Sequence, residues 1–246
     1  AFTYYTGFKV NSGEYKVMGL APYGKPKYKD IIIEKLMDLK EDGSFRLDMS
    51  YFNYATGLTM TNKKFSNLFG HPVRDSQKDL LTQFHMDIAA SIQAVTEEII
   101  LRITSSLAKE YKIENLCLAG GVALNCVANG KILKKNIFKE IWMQPAAGDA
   151  GGSLGAALAF WYKELGNKRI VHADQMKGSY LGPSFSNDHI KNELNLLNAN
   201  FTHLSEEELI KEVANKISKE KTVGWFQGRM EFGPRALGCR SIIADP

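Results

Sequence analysis

Apolar residues recur most regularly between residues 79 and 110. They are separated by three or four positions: Leu81, Phe84, Ile88, Ile92, Val95, Ile99, Ile103 and Leu107. This spacing places them on one face of an α-helix. At 1.5 Å per residue the helix would be about 45 Å long. We therefore predict a long amphipathic helix that runs the length of a domain.

Two strand–loop–helix units follow the long helix. Residues 116–119 and 141–143 are short apolar runs, which predict buried strands. Each run is followed by a glycine-containing loop, at residues 120–121 and 145–152, and by a helix, at about 124–134 and 153–163. This alternation predicts α/β architecture.

The flanking segments have weaker patterns. Residues 1–28 are rich in Gly, Tyr and Lys, and this composition predicts a loop. Residues 29–40 have the spacing of a helix, with Ile32, Ile33, Leu36 and Leu39 on one side. Residues 41–77 alternate weakly, as hairpins do. A polar stretch over 164–177 indicates a boundary between domains.

The C-terminal part predicts a turn, two helices and a strand. The turn is Leu181-Gly182-Pro183, the helices cover residues 186–197 and 205–220, and the strand covers residues 223–226. Ser205 with Glu208 three residues later is a capping box.

Net charge, hydrophobic stretches and cysteine spacing exclude several classes of function. The 246 residues are 44% hydrophobic and 24% charged, with a net charge of +4, which is too mild to indicate nucleic acid as a partner. Apolar stretches are short, so no membrane span is predicted. The three cysteines, Cys117, Cys126 and Cys239, lack CxxC spacing. We therefore expect no disulfide framework and a cytoplasmic location.

Both ends of the sequence suggest a piece of a longer polypeptide. The chain starts at Ala1 and stops at Pro246, directly after a glycine- and arginine-rich stretch. Chain ends tend to fray, so a functional loop rarely closes a natural protein.

The two glycine loops are candidates for binding phosphate. Free backbone N–H groups and the helix dipole favour an anion at a helix N-terminus, and glycine permits close approach. The candidates are Gly120, Gly121, Gly148, Gly151 and Gly152. Tight turns are the alternative, but two such loops at neighbouring strand ends favour a nucleotide site. Neither loop has P-loop or G-x-G-x-x-G spacing.

Asp149 and Asn125 leave two interpretations open. Asp149 lies inside the second glycine loop, where a carboxylate suits a divalent metal beside a phosphate or an N-cap. Spacing does not decide between these. Asn125 and Asn129 share a helix face and suit a ribose or base, although spacing favours capping or surface roles. Asn125 is kept as a candidate cofactor-binding residue.

The last loop contains Arg229, Arg235 and Arg240 beside Glu231. Arginine has a rigid fork of donors that matches phosphate and carboxylate. A salt-bridged turn with Glu231 is the alternative. Because three arginines exceed what one glutamate neutralises, we favour a phosphate or oxyanion clamp, with Arg229 and Arg235 as its catalytic residues. No metal role is assigned to the five histidines, His71, His85, His172, His189 and His203.

Four segments together resemble the carbamoyltransferase family of the NodU/TobZ type. They are residues 14–24 (EYKVMGLAPYG), 116–125 (LCLAGGVALN), 144–157 (QPAAGDAGGSLGAA) and 228–246 (GRMEFGPRALGCRSIIADP). The resemblance implies an α/β fold in which residues 1–170 are the C-terminal part of an actin/Hsp70-like (ribonuclease H-like) ATPase domain. This domain is similar to a tRNA threonylcarbamoyl-transfer protein. Residues 171–246 would begin a YrdC-like α/β domain.

The resemblance also implies a reaction. An O-carbamoyltransferase makes carbamoyl adenylate from carbamoyl phosphate and ATP, then transfers the carbamoyl group to a hydroxyl of a small-molecule or sugar acceptor. Gly120, Gly121 and Val122 match the nucleotide loop, Asp149 a ligand of a divalent metal (iron-like or Mg), and Arg229 a phosphate-handling arginine.

The resemblance carries further expectations. The family's other metal ligands would lie outside this chain, so we expect the chain alone to be inactive. We expect neither nucleic acid nor a membrane as a partner. If the chain self-associates, we expect a homodimer. A tRNA-modifying threonylcarbamoyl transferase, an actin-like ATP-binding module and a sugar kinase are the alternatives.

Overall fold

The computed structural model describes residues 1–171 and 173–245, which fall into two units. One unit comprises Ala1–Cys117 with Asn125–Trp142, and the other Leu118–Leu124 with Met143–Pro246. His172, for which no metal role was predicted, and Pro246, the last residue of the predicted second domain, lie outside the described residues. The predicted boundary between residues 170 and 171 stays a prediction.

A long helix organises the first unit, as the apolar spacing predicted. Helix α5 covers Gln83–Tyr111, which is 29 residues. Ile88 and Val95 on its apolar face are fully buried. Leu107 is exposed and Leu81 precedes the helix, so the buried stripe is shorter than the apolar pattern.

The core of this unit is aromatic. Helix α1 (Phe2–Tyr5) and helix α4 (Lys63–Phe69) supply rings that pack edge-on or tilted. The Tyr5 and Phe65 ring centroids are 5.0 Å apart, and those of Phe65 and Phe69 are 5.1 Å apart. Such geometry is favoured by the ring quadrupole in addition to burial.

The N-terminal segment predicted as loop contains a helix, so that prediction is wrong in part. Helix α2 covers Glu14–Leu20, and a 3₁₀ turn covers Ala21–Tyr23. Val17 and Leu20 are buried against Ala89 and Ala90 of α5. Tertiary packing therefore overrides the Gly and Pro punctuation that suggested a loop.

The loop after α2 is fastened to α5 through Asp87. The carboxylate of Asp87 is 2% exposed and accepts the Lys25 backbone N–H at 2.8 Å and the Gln83 amide at 2.9 Å. Lys27 Nζ is 2.5 Å away. Burial raises the pKa of Asp87, but these donors outweigh it and hold the pKa at about 2.

The predicted helix over residues 29–40 ends earlier than expected. Helix α3 covers Lys29–Leu36. Strand β1 (Met37–Leu39) then pairs antiparallel with β2 (Phe45–Leu47). Leu39, predicted on the helix face, therefore lies in a strand. The hairpin expected after residue 41 exists, but residues 63–69 form helix α4 instead of further hairpins.

The two strand–loop–helix units occur where the sequence placed them. Strand β3 covers Asn115–Leu118, a 3₁₀ turn Gly121–Leu124, helix α6 Cys126–Lys135 and strand β4 Glu140–Met143. The two strands are neighbours in a two-stranded sheet. The expectation that they are buried is wrong, since Trp142 is 46% exposed. In the described part of the chain, no third strand widens this sheet into a covered layer.

The second unit contains the remaining elements. These are helix α7 (Ala150–Ala159), a π-helical turn (Phe160–Glu164), a 3₁₀ turn (Lys177–Ser179), helices α8 (Asn187–Leu196) and α9 (Glu206–Ile217), and strands β5 (Val223–Phe226) and β6 (Arg240–Ile243). The Ser205–Glu208 capping box is confirmed. Strand β6, antiparallel to β5, was not predicted. The whole is a mixed α/β structure with small sheets.

No helix in residues 1–171 and 173–245 is both long and apolar enough to cross a membrane.

The start of α5 predicts a pH-dependent stability. Thr82 donates its backbone N–H to His85 Nδ1 at 3.1 Å in a capping box. Burial, with Arg74 and His71 nearby, lowers the pKa of His85 below 6.5, and Asp79 opposes this. As pH falls through 6.5 the unfolded chain takes up the proton first, so stability falls until the lower folded-state pKa is passed.

His85→Gln should remove this dependence, because Gln at the third helical position also completes a capping box. The measurement is the urea unfolding free energy from about pH 8 to about pH 5, the range in which histidine titrates. Equal losses in both proteins over this range would contradict the assignment.

Candidate functional site

The two predicted glycine loops are joined by backbone hydrogen bonds within the second unit. Gly120 donates its N–H to the Ala147 carbonyl at 2.8 Å, and Gln144 donates to Leu118 at 3.1 Å. Gly120 has a φ of +92°, which glycine adopts without a steric cost. Ala146 and Ala147 are buried, so this connection is a packed part of the loops.

The predicted cofactor-binding glycines fall into two groups. A Cβ placed on Gly120, Gly121 or Gly152 would meet no atom within 4 Å, so the backbone there is open to a ligand. A Cβ on Gly151 would overlap the Ala146 carbonyl oxygen, so its lack of a side chain serves packing. Gly148 would make ordinary contact with Leu124.

Asp149 lies immediately before α7, at its N-cap position. Its side chain makes no capping hydrogen bond, so the capping alternative finds no support in the geometry. The carboxylate is exposed. Over residues 1–171 and 173–245, no group of three or more His, Cys, Asp or Glu side chains could hold a metal. The residues present therefore do not fit a complete metal site.

Val122 and Asn125 lie at the end of the first loop, with different surroundings. The Val122 side chain is 61% exposed. Asn125 is the N-cap of α6, and its Oδ1 accepts the Ala128 N–H at 3.1 Å. In the first unit, Asn125 also exchanges two amide hydrogen bonds with Gln93 of α5, at 3.2 and 3.0 Å. Asn125 therefore has a structural function, and its predicted role in cofactor binding stays a prediction.

The Gln93 side chain is itself held in a buried network. Its amide donates to Glu97 Oε1 at 2.9 Å, and Lys131 of α6 forms an ion pair with Glu97. This network, which the sequence did not reveal, links α5 to the start of α6.

The arginine loop does not form the salt-bridged turn that was the alternative interpretation. Glu231 accepts backbone N–H groups, from Leu237 at 2.8 Å and from Cys239 at 2.7 Å. These donors are the reason that the pKa of Glu231 is lowered, with burial opposing them. In the described residues, neither Arg229 nor Arg240 forms an ion pair with Glu231.

The three arginines donate to backbone carbonyls. Arg229 bonds to Gly182 at 2.7 Å and Arg235 to Leu124 at 3.1 Å. Arg240 bonds to Gln227 and to its own neighbour Cys239, both at 2.8 Å, and its guanidinium lies 3.3 Å from the centre of the Phe226 ring. Arg240 is thus held by several contacts within the loop.

All three predicted loop segments meet in the second unit. Arg235 bonds to Leu124 at the end of the first glycine loop. Gly233 packs against the second loop so closely that a Cβ would be 2.9 Å from the Pro145 carbonyl oxygen. With the bond between Gly120 and Ala147, each loop contacts the other two. The sequence predicted these segments separately, and the fold brings them together.

A further segment supports the arginine loop. Gly182 donates to the Met230 carbonyl and Met230 donates to Pro183, both at 2.9 Å. Phe232 donates to Ser179 at 2.7 Å. The turn at residues 181–183 was recognisable from its Gly-Pro pair, but its contact with the arginine loop was not.

Comparison with known protein families gives two matches. Residues 1–158 match the model described as carbamoyltransferase N-terminus, and residues 214–246 match the model described as carbamoyltransferase C-terminus. The first match covers more than half of the chain.

Several curated relatives are similar along the whole chain. Uncharacterized protein sll1178 of Synechocystis sp. is 63% identical over 249 residues, covering 100% of this chain and 40% of the relative. Nodulation protein NolO of Bradyrhizobium diazoefficiens is 37% identical, covering 95% and 40%. Nodulation protein NolNO of Sinorhizobium fredii is 38% identical, covering 95% and 32%.

The chain thus spans about 40% of the length of the first two relatives and less of the third. Both the similarity and the matched family models extend over the three segments that meet in the second unit. This chain therefore belongs to the carbamoyltransferase family.

Proposed function

We propose that this chain is part of an ATP-dependent O-carbamoyltransferase. The enzyme makes carbamoyl adenylate from carbamoyl phosphate and ATP, and transfers the carbamoyl group to a hydroxyl of a small-molecule or sugar acceptor. The observation that carries the proposal is the contact of both glycine loops with the arginine loop. That arrangement places anion-binding backbone beside guanidinium groups, as a reaction between two phosphorylated substrates requires.

In this proposal the glycine loops bind ATP. Gly120, Gly121 and Gly152 support it because the space beside their backbone is open. Gly151 shapes the second loop by close packing, and Gly148 remains a candidate for binding the nucleotide. Val122, with its exposed side chain, extends the first loop toward the nucleotide.

Arg229 and Arg235 act on the phosphate groups. Carbamoyl phosphate first reacts with water to give carbamate and inorganic phosphate. A carbamate oxygen then attacks the α-phosphorus of ATP and pyrophosphate leaves, while guanidinium groups stabilise the charge on the departing oxygens. Arg229 has donors besides the one that bonds to the Gly182 carbonyl, since a guanidinium has five N–H groups. The arginine loop also favours this function over a purely mechanical actin-like ATPase, which has no use for such a clamp.

Asp149 is proposed as one ligand of a divalent metal, either iron-like or Mg. Its exposed carboxylate supports this role. Because the described residues do not complete a metal site, the remaining ligands would belong to other parts of a longer protein. When bound, the metal would supply positive charge beside the phosphate groups.

We also propose the finer architecture from the family resemblance. Residues 1–170 would belong to an actin/Hsp70-like (ribonuclease H-like) domain, and residues 171–246 would begin a YrdC-like domain. The greater length of the relatives supports a chain that works as part of a longer enzyme.

The direct test is carbamoyl phosphate-dependent release of pyrophosphate from ATP by the full-length enzyme. We expect release by the full-length enzyme and none by the 246-residue chain alone. Arg229→Ala should lower kcat/KM by about 100-fold, the usual cost of losing one charge-stabilising donor. Arg169→Ala, an exposed arginine outside the loops, serves as the control. Absence of pyrophosphate from the full-length enzyme would contradict the proposal.

Asp149→Asn separates metal binding from helix capping. Asn caps helices about as well as Asp but removes the charge, so metal content should fall while the midpoint of thermal unfolding of the metal-free protein stays constant. Asp188→Asn, in the first turn of α8, is the matched control. Unchanged metal content in the full-length Asp149→Asn protein would remove Asp149 from the site.

Gly151 and Gly152 provide a test of the glycine assignments. Gly151→Ala should destabilise the protein by about 1–3 kcal/mol, because its Cβ has no room. Gly152→Ala should retain stability or gain up to about 1 kcal/mol while weakening ATP binding. Urea unfolding and calorimetric titration with ATP measure the two effects. Equal behaviour of the two variants would show that the division is wrong.

A further inference from the structure

A closed loop presents Arg235. Two glycines with positive φ flank residues 234–237, namely Gly233 at +132° and Gly238 at +105°. Other residues rarely adopt these angles, so glycine is favoured at both points. The four residues between these glycines include Arg235.

Glu231 lies at the base of this loop and spans it. Its side chain is 7% exposed. The same carboxylate oxygen, Oε1, accepts N–H groups from residues six and eight positions later, Leu237 and Cys239. Bonds from one ionised acceptor to two backbone donors are stronger than bonds between neutral groups. Glu231 precedes Gly233 and binds the backbone of Leu237 and Cys239, so its side chain bridges the two ends of the loop.

The base itself is anchored by Ser179, which is 1% exposed. Phe232, the residue after Glu231, donates its N–H to the Ser179 carbonyl at 2.7 Å, and the Ser179 hydroxyl donates to the Phe232 carbonyl. One end of the loop is thus fixed to the second unit. The other end is held by the carboxylate of Glu231 and by the pairing of β6 with β5. It also accepts hydrogen bonds from the Tyr180 hydroxyl, at the Leu237 carbonyl, and from Gln227, at the carbonyls of Gly238 and Cys239.

We propose that Glu231 is a positioning residue of the carbamoyltransferase reaction, which holds the loop so that Arg235 faces the phosphate groups at the junction of the glycine loops. This inference rests on the proposed function. Glu231 acts as a hydrogen-bond acceptor for the backbone and does not contact the substrates. Its geometry explains why a carboxylate stands among three arginines without an ion pair to Arg229 or Arg240 in the described residues.

The test compares Glu231→Ala, Glu231→Gln and Glu231→Asp in the full-length enzyme. Gln keeps an oxygen at the position of Oε1, Ala removes the acceptor, and Asp withdraws it by one methylene. Misplacement of a reacting group by about 1 Å can cost about 100-fold in rate. We therefore expect Glu231→Ala to lower kcat/KM for carbamoyl phosphate by about that factor, Glu231→Asp to be intermediate, and Glu231→Gln to restore most of it.

Amide hydrogen exchange gives a second measurement that does not depend on catalysis. The amides of Leu237 and Cys239 should exchange faster in Glu231→Ala than in the wild type, and remain protected in Glu231→Gln. Glu207→Ala, at an exposed glutamate of α9 that forms an ion pair with Lys211, should change neither exchange nor kinetics. If Glu231→Ala does not fold, the Asp and Gln variants still differ in expectation, because Asp should lose more activity and more amide protection than Gln.

The possible results separate the two proposals. A wild-type enzyme that releases no pyrophosphate contradicts the proposed function, whatever the exchange data show. An active wild type with unchanged kinetics in Glu231→Ala overturns the positioning role. Loss of activity in Glu231→Gln with both amides still protected also overturns it, because Glu231 would then act through its charge.

Discussion

Close approach of one backbone segment to another, at positions where a side chain has no room, constrains both units of this protein. In the first unit, a Cβ on Gly24 would overlap the Met86 carbonyl, where the loop after α2 crosses α5. In the second unit, Gly151 lies against Ala146 and Gly233 against Pro145. All three glycines belong to segments shared with the carbamoyltransferase family. Their role is therefore partly structural, since they permit the packing on which the loops depend.

The sequence allowed the prediction of those elements whose signals are local. The apolar face of α5, the two strand–loop–helix units and the Ser205 capping box follow from periodicity and capping rules, and the structure contains them. Strand β6 was missed because its residues follow an arginine- and glycine-rich loop and become a strand only by pairing with β5. The connection of the three loops was likewise unpredictable, because it consists of backbone contacts and a bond from the Arg235 side chain to a carbonyl 111 positions away.

Two carboxylates in these loops show that burial and hydrogen bonding distinguish between roles that the sequence leaves open. Asp149 and Glu231 both lie among glycines; Asp149 was interpreted as a metal ligand or an N-cap, and Glu231 was considered as the partner of a salt-bridged turn. Glu231 is buried, and its Oε1 accepts two backbone N–H groups, which lower its pKa. Asp149 is exposed and makes no capping hydrogen bond. The proposed metal role of Asp149 rests on this exposure, because a carboxylate next to a bound phosphate would need a cation between the two charges.

Arg240 and Arg229 likewise differ in how much of the guanidinium is occupied by contacts within the protein. Arg240 donates to Gln227, Gly228 and Cys239 and covers the Phe226 ring, so its guanidinium is engaged on its edges and on one face. Arg229 is exposed and donates to Gly182. A carbonyl acceptor orients a guanidinium without neutralising it, whereas a carboxylate would do both. Since Glu231 is occupied by backbone donors, the positive charge of Arg229 in this loop is oriented and retained, which is the condition an anionic substrate requires.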